Sequence, residues 1–182
     1  MRKLFLILFI PFILNAQPFP LLFDDDLPTG TNLFTVSYTG SRNNITGCLG
    51  FEFSPDEDII IIKLGRSVST AITTNHTIKI WRVSDQTLIT SGVVNQSSTV
   101  DVLGYAIVNI TPVTLVASET YRIASDEDSG GDLWKDLTGM TDHSDKVTIT
   151  GAVYKTTKGA YPTETLAGAN NAFVPPTFYI KD

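Results

Sequence analysis

Short runs of alternating apolar and polar residues, separated by turn residues, occupy most of the chain beyond residue 30. Such alternation has the two-residue period of β-strands, whose successive side chains point to opposite faces. It predicts about nine strands and no segment with helical periodicity. The runs cover residues 33–38, 48–53, 58–64, 76–82, 87–94, 105–110, 120–124, 146–154 and 173–180. We therefore expect an all-β fold, a two-sheet antiparallel β-sandwich with jelly-roll-like topology.

Some runs indicate special positions within this fold. Residues 59–62 are consecutive isoleucines, and so continuous an apolar run predicts a central strand covered on both faces. Pro175 and Pro176 predict a bulge or an edge strand, because proline cannot donate to a sheet. Two longer irregular segments, residues 125–145 and 155–172, interrupt the strands, and loops of this length in a compact domain are often functional.

The N-terminal segment has the pattern of an export signal. Arg2 and Lys3 precede an apolar run over residues 4–14, and Ala16 supplies the small residue that signal peptidase requires. A spanning helix needs roughly 20 apolar residues, about twice this run, so we expect no membrane span. The predicted organisation is a signal peptide over residues 1–16, an extended lead-in over 17–30 and a single domain over 31–182. The protein is expected to be secreted, either extracellular or at the cell surface.

Charge and cysteine content narrow the function classes further. The formal net charge is −6, and no cluster of lysine and arginine follows the signal, which argues against nucleic-acid binding through a basic face. Cys48 is the only cysteine, so an intrachain disulfide is impossible. Its apolar surroundings predict a buried small hydrophobic side chain.

A series of short motifs follows one order along the chain. They lie at residues 50–53, 64–66, 76–81, 104–106, 112–115, 119–124, 130–136, 151–154 and 170–178. This order resembles an accessory β-sandwich module of secreted bacterial proteins, often appended to glycoside hydrolases, adhesins and other surface proteins. The Gly-Gly-Asp-x-Trp block at residues 130–134 is its sharpest element. The resemblance implies a sandwich fold, an extracellular setting and carbohydrate binding.

Tryptophan and acidic residues in the first long loop favour a carbohydrate site. An exposed aromatic ring can stack on the apolar face of a sugar while polar neighbours bind its hydroxyl groups. We interpret Trp134 as such a ring, and the other predicted ligand-binding residues are Asp132, Asp136, Tyr154 and Tyr161. The alternative is that Trp134 packs down over the end of the sandwich, because large aromatic side chains are mostly buried. Trp81, inside a strand, is expected in the core.

The same loop contains a candidate calcium site. Its carboxylates lie on a glycine-containing segment, and calcium prefers oxygen ligands on a backbone that can wrap around it. The predicted ligands are Asp126, Asp128 and Asp132, with a structural role for the ion. The alternative is a solvated acidic turn, because the spacing does not match an EF-hand loop.

We find no catalytic motif in the sequence. His76 and His143 have no cysteine or second histidine at zinc-ligand spacing, and residues 142–145 are too close in sequence to converge as a catalytic triad. We therefore expect a non-enzymatic binding module whose partner is a glycan or cell-surface polysaccharide. The alternative is a structural or adhesive subunit that self-associates through sheet edges or loops. The expected single-domain organisation favours it, as does the Pro-flanked segment 17–28, which could reach a neighbouring subunit.

Overall fold

The computed structural model of the protein describes residues 29–174 and 176–182. Within these residues the chain forms strands and connecting loops without a helix. The strands are β1 (Gly30–Asn32), β2 (Gly47–Pro55), β3 (Ile59–Ser67), β4 (His76–Arg82), β5 (Leu88–Val94), β6 (Tyr105–Leu115), β7 (Tyr121–Glu127), β8 (Lys135–Leu137), β9 (Val147–Lys155), β10 (Glu164–Ala167), β11 (Ala172–Val174) and β12 (Pro176–Lys181). The predicted signal peptide and most of the predicted lead-in lie outside the described residues.

Two large antiparallel sheets pack face to face, which confirms the predicted β-sandwich. One sheet has the order β1-β12-β3-β6, and the other has the order β10-β9-β2-β7-β4-β5. The chain crosses between the sheets from β1 to β2, from β2 to β3, from β3 to β4 and on either side of β6. A third, two-stranded sheet of β8 and β11 lies in the region of the predicted long loops.

The core lies between the two large sheets and is rich in aromatic rings. Phe51 and Phe53 on β2 are fully buried, as is Phe178 on β12. The rings of Phe53 and Phe178 approach to 5.0 Å between centroids across the sheets. Burial of such side chains stabilises the fold by roughly 1.5–3 kcal/mol each.

The isoleucine run forms a central strand, as predicted, because β3 lies between β12 and β6. A register shift between Ile61 and Lys63 accompanies burial of both Ile61 and Ile62. Ile60, in contrast, is 40% exposed. The expectation that both faces are covered along the whole run is therefore wrong at this position.

Residues 33–38 do not form the predicted strand. The side chain of Asn32 accepts a hydrogen bond from the Phe34 amide at 3.1 Å, a local turn that diverts the chain from the sheet. Leu33 and Phe34 are nevertheless buried in the core. The apolar alternation in this segment thus reflects burial with an isolated bridge from Phe34 to His143 in place of a strand, and the first strand lies just before it.

Trp81 is buried, as predicted, but away from the main core. It forms a separate small cluster with Cys48 and Ala124 on the outer side of the six-stranded sheet. Residues 156–163, which we call the strap, cross this cluster. The Cys48 thiol donates to the carbonyl of Ala160 at 3.3 Å, and Tyr161 packs edge-on against Trp81.

In the described part of the chain, no helix is long and apolar enough to cross a membrane.

Candidate functional site

Four charged side chains are buried together where β3, β4 and β7 meet the loop after β7. Arg66 donates from Nε and Nη2 to the two carboxylate oxygens of Glu127, at 3.0 and 2.7 Å. His76 places Nε2 at 2.8 Å from Asp132 Oδ2 and Nδ1 at 3.3 Å from Glu127 Oε1. Every one of them is at least nine-tenths buried. We call this group the charge quartet.

Both ring nitrogens of His76 face acceptors. Nδ1 also lies 2.8 Å from the carbonyl oxygen of Asp126, so both nitrogens carry protons and the ring is an imidazolium. Burial by itself lowers the pKa of His76, but the hydrogen bond and charge of Glu127 outweigh it and raise the pKa. Burial would raise the pKa of Glu127, and the hydrogen bonds from His76 and Arg66 lower it.

Asp132 is held more tightly than any other predicted ligand. Its carboxylate accepts from the Thr73 amide and hydroxyl, the Thr74 amide and His76. Burial opposes ionisation, but the hydrogen bonds from Thr73 and His76 prevail and lower the pKa of Asp132 to about 2. Its oxygens are therefore committed to the protein and are not available to a sugar.

The three predicted calcium ligands are not brought together. Asp132 belongs to the charge quartet, Asp126 accepts from the Gly159 amide at 2.6 Å, and Asp128 pairs with Lys158 at 2.7 Å. Each carboxylate thus faces a different protein donor. Within the residues that the structure describes, no group of three histidine, cysteine, aspartate or glutamate side chains is arranged to hold a metal ion. The structure does not assemble the predicted ligand set, and calcium binding itself stays a prediction.

The charge quartet fixes the segment that carries Trp134. Arg66 Nη2 also donates to the carbonyls of Asp132 and Leu133, at 3.1 and 3.3 Å. Directly after them, Trp134 exchanges backbone hydrogen bonds with Arg42, N to O at 2.8 and 3.1 Å. The backbone around Trp134 is therefore attached to the sandwich on both sides.

Aromatic and charged side chains meet around Trp134 on the small β8–β11 sheet. Phe173 contacts both Trp134 and Tyr154 edge-on, with ring centroids 5.8 and 6.0 Å apart. The Arg42 guanidinium lies 4.8 Å from the centre of the Trp134 ring and forms an ion pair with Asp136. We call Arg42, Trp134, Asp136, Tyr154 and Phe173 the aromatic patch.

Trp134 itself is completely buried, with 0% of its surface exposed. The prediction that the Trp134 ring is exposed for stacking is therefore wrong for this structure. The alternative prediction, that Trp134 is packed against the protein, describes its position. Phe173 packs against its ring at a steep angle, and the Arg42 guanidinium lies over its face. The patch reaches the surface through Arg42 and Asp136, whose side chains are 40% and 35% exposed. Tyr154 and Phe173 are half-buried.

Two buried polar atoms of the patch have no hydrogen-bond partner among the described residues. They are Nε1 of Trp134 and Oδ1 of Asp136. Buried polar groups without partners are uncommon because each costs about 1–3 kcal/mol. A donor and an acceptor thus remain unused within one patch.

The fifth predicted ligand residue lies elsewhere. Tyr161 is on the strap, where Arg122 lies 5.2 Å from the centre of its ring. The structure therefore unites Trp134, Asp136 and Tyr154, and it separates Asp132 and Tyr161 from them. Arg42 and Phe173 belong to the patch but were not predicted, and no local pattern in the sequence pairs Arg42 with residues so distant.

The family of the chain can be stated from comparison with known proteins. No curated protein matches it. The family model described as a domain of unknown function, DUF4082, matches residues 34–174. This match includes β2 to β11, the charge quartet and the whole aromatic patch, and the chain therefore belongs to the DUF4082 family.

Proposed function

We propose that the protein is a secreted, non-catalytic module that binds carbohydrate at the aromatic patch. The observation that carries the proposal is the meeting of Trp134, Asp136 and Tyr154, each proposed from its chemistry alone, at one partly exposed place. Aromatic rings beside charged hydrogen-bonding groups are the combination that sugar recognition needs. The sugar would contact the half-buried rings and the exposed part of the Asp136 side chain.

The residues beneath the aromatic patch also favour the proposal. The buried charge quartet and the backbone pairing of Arg42 with Trp134 hold these side chains on a rigid base. A preformed site loses less conformational entropy when a ligand binds. Export of the protein would place the patch where it meets extracellular or cell-surface polysaccharide.

A glycan array tests the proposal with the chain lacking its export signal, residues 17–182. Asp136→Ala should reduce binding about tenfold or more, because hydrogen bonds to charged groups are among the stronger ones. Asp85→Ala is the matched control, since Asp85 pairs with Arg82 in a similarly exposed ion pair far from the patch. The proposal would be contradicted if the folded protein binds no glycan, or if Asp136→Ala and Asp85→Ala lose equal amounts of glycan binding. Repeating the array with a chelator tests the predicted calcium ion.

A specific observation favours the second candidate, a self-assembling structural or adhesive subunit. Among residues 29–174 and 176–182, β5 pairs only with β4. It contains no charged residue and no proline, the usual protections of an edge strand. Leu88 and Val93 on it are 47% and 42% exposed. A second copy could add its own β5 to this edge.

Light scattering on the purified protein separates the two candidates. A defined oligomer that Val93→Lys converts to monomer supports the structural subunit, because a charge on an edge strand opposes edge pairing. A monomer at all concentrations supports the binding module.

A further inference from the structure

The Arg42 side chain occupies the face of Trp134 on which a sugar ring would stack. Its flat guanidinium lies over the ring, 4.8 Å from the ring centre. Phe173 approaches the same indole edge-on, with planes at 82°, so its ring does not lie parallel to the face. Arg42 is therefore the side chain whose charged group lies over the indole face.

This cover can move without the backbone. The hydrogen bonds between Arg42 and Trp134 that fix the chain are all between main-chain atoms. The Arg42 side chain is held by the indole, by Asp136 and by a long 3.3 Å bond to Asn44. Since the side chain is 40% exposed, a rotation toward solvent meets little obstruction. The motion breaks the cation–π contact and the ion pair with Asp136, and both kinds of interaction are weak at partly exposed sites.

The patch also contains two unused polar atoms that a sugar can bind. The unpartnered Nε1 of Trp134 is a donor, and the unpartnered Oδ1 of Asp136 is an acceptor. A hydroxyl group both accepts and donates, so the hydroxyl groups of a sugar can bind both atoms. Displacement of Arg42 takes its positive charge away from Asp136, so the opened patch presents a carboxylate, which repels an acidic sugar.

We infer that Arg42 is a displaceable cover that controls access to the stacking face of Trp134, and that the ligand which displaces it is a neutral sugar. This inference rests on the proposed function. It assigns Arg42 a role opposite to that of a direct ligand contact. Removing a cover strengthens binding, whereas removing a contact weakens it.

The decisive variant is Arg42→Ala, measured by titration calorimetry against cellohexaose, xylohexaose and dextran, with polygalacturonate as the acidic comparison. Arg42→Ala should bind the neutral glycan about two- to fivefold more tightly, the factor that corresponds to the lost cation–π contact. Arg82→Ala is the matched control, because Arg82 forms a similarly exposed ion pair with Asp85, and it should bind like the unmodified protein. Circular dichroism verifies that each variant is folded.

A fluorescence measurement without ligand tests separately whether Arg42 covers Trp134. In a Trp81→Phe background, Trp134 is the only tryptophan, and Arg42→Ala should increase the quenching of the tryptophan fluorescence by acrylamide. Unchanged quenching would overturn the inference. Weaker binding of neutral glycans by Arg42→Ala, or a preference for polygalacturonate, would also overturn it. In each case the proposed binding function would stand if any glycan is bound. Absence of glycan binding by all folded variants would overturn the proposed function and this inference together.

Discussion

Arg66 and Glu127 form a bidentate ion pair in which each side chain is only 1% exposed. The pair joins β3 of one sheet to β7 of the other, so it connects the two layers of the sandwich at one end. Burying two charges is costly, and the geometry offsets this cost because the remaining donors of Arg66 bind backbone carbonyls. The Ser125 hydroxyl adds a bond to Glu127 at 2.7 Å.

Breaking this pair from one side should destabilise the protein strongly. Glu127→Leu leaves Arg66 buried without its counter-charge, and we expect a loss of about 3–5 kcal/mol in the free energy of unfolding. Urea denaturation measures it. The double variant Arg66→Met with Glu127→Leu should lose less than the sum of the single variants, because neither charge is then left alone. Strictly additive losses would show that the two side chains do not interact.

The charge quartet also predicts how stability depends on pH. The pKa of Asp132 is lowered to about 2, against about 3.9 in an unfolded chain. Its contribution to stability is therefore present above about pH 4 and is lost as the pH falls toward 2. The pKa of His76 is raised in the folded protein, so its contribution is complete below about pH 6.5 and is lost as the pH rises through the higher folded value.

Urea midpoints measured from pH 2 to pH 9 test these signs. In Asp132→Asn the urea midpoint should fall less steeply as the pH is lowered toward 2. In His76→Gln it should fall less steeply as the pH is raised above about 6.5. Both variants should be less stable overall. The maximum for the unmodified protein should lie between about pH 4 and pH 6.5. If the urea midpoint of His76→Gln falls at high pH as steeply as that of the unmodified protein, His76 is not the group responsible for the loss of stability.

Gly50 permits the close packing of two central strands. A Cβ atom at this position would lie 1.8 Å from the carbonyl oxygen of Ile123, which is backbone and cannot rotate away. Gly50→Ala should therefore cost about 3 kcal/mol or more. Gly131→Ala is the comparison, since its Cβ would meet its nearest atom at 3.0 Å. Equal thermal midpoints for the two variants would disprove the close contact.

The strap should protect the thiol of Cys48. Burial, followed by the charge of Asp126, raises the pKa of Cys48 to about 11, so little thiolate exists at neutral pH. We expect no reaction with a disulfide reagent until the protein unfolds. Tyr161→Ala, which removes a side chain packed over this cluster, should speed the reaction without abolishing the fold. Immediate labelling of the unmodified protein at pH 7 would contradict the covered position.

Local pattern was enough to predict most strands but not the site. Ile78 and Ile80 alternate with polar residues, and this pattern records which side of the strand is buried. Residues 33–38 have the same pattern but do not form a strand, because alternation indicates which side chains are buried and does not indicate which segments pair in a sheet. Cys48 was predicted to be buried from its apolar neighbours, and it is 0% exposed.

The site depended on contacts between distant parts of the chain. Arg66 and Glu127 are 61 positions apart, and Arg42 and Asp136 are 94 apart, so no spacing rule pairs them. The acidic loop therefore looked like a metal site, although its carboxylates bind protein donors.

The most direct test of sugar binding at the aromatic patch is an ¹H–¹⁵N NMR titration that follows the indole Nε1–H signals of the two tryptophans. We predict that the signal of Trp134 shifts progressively with a bound neutral oligosaccharide, while that of Trp81, under the strap, stays in place. A shift of Trp81 alone, or no shift of either signal during saturation with a glycan that binds, would contradict the site.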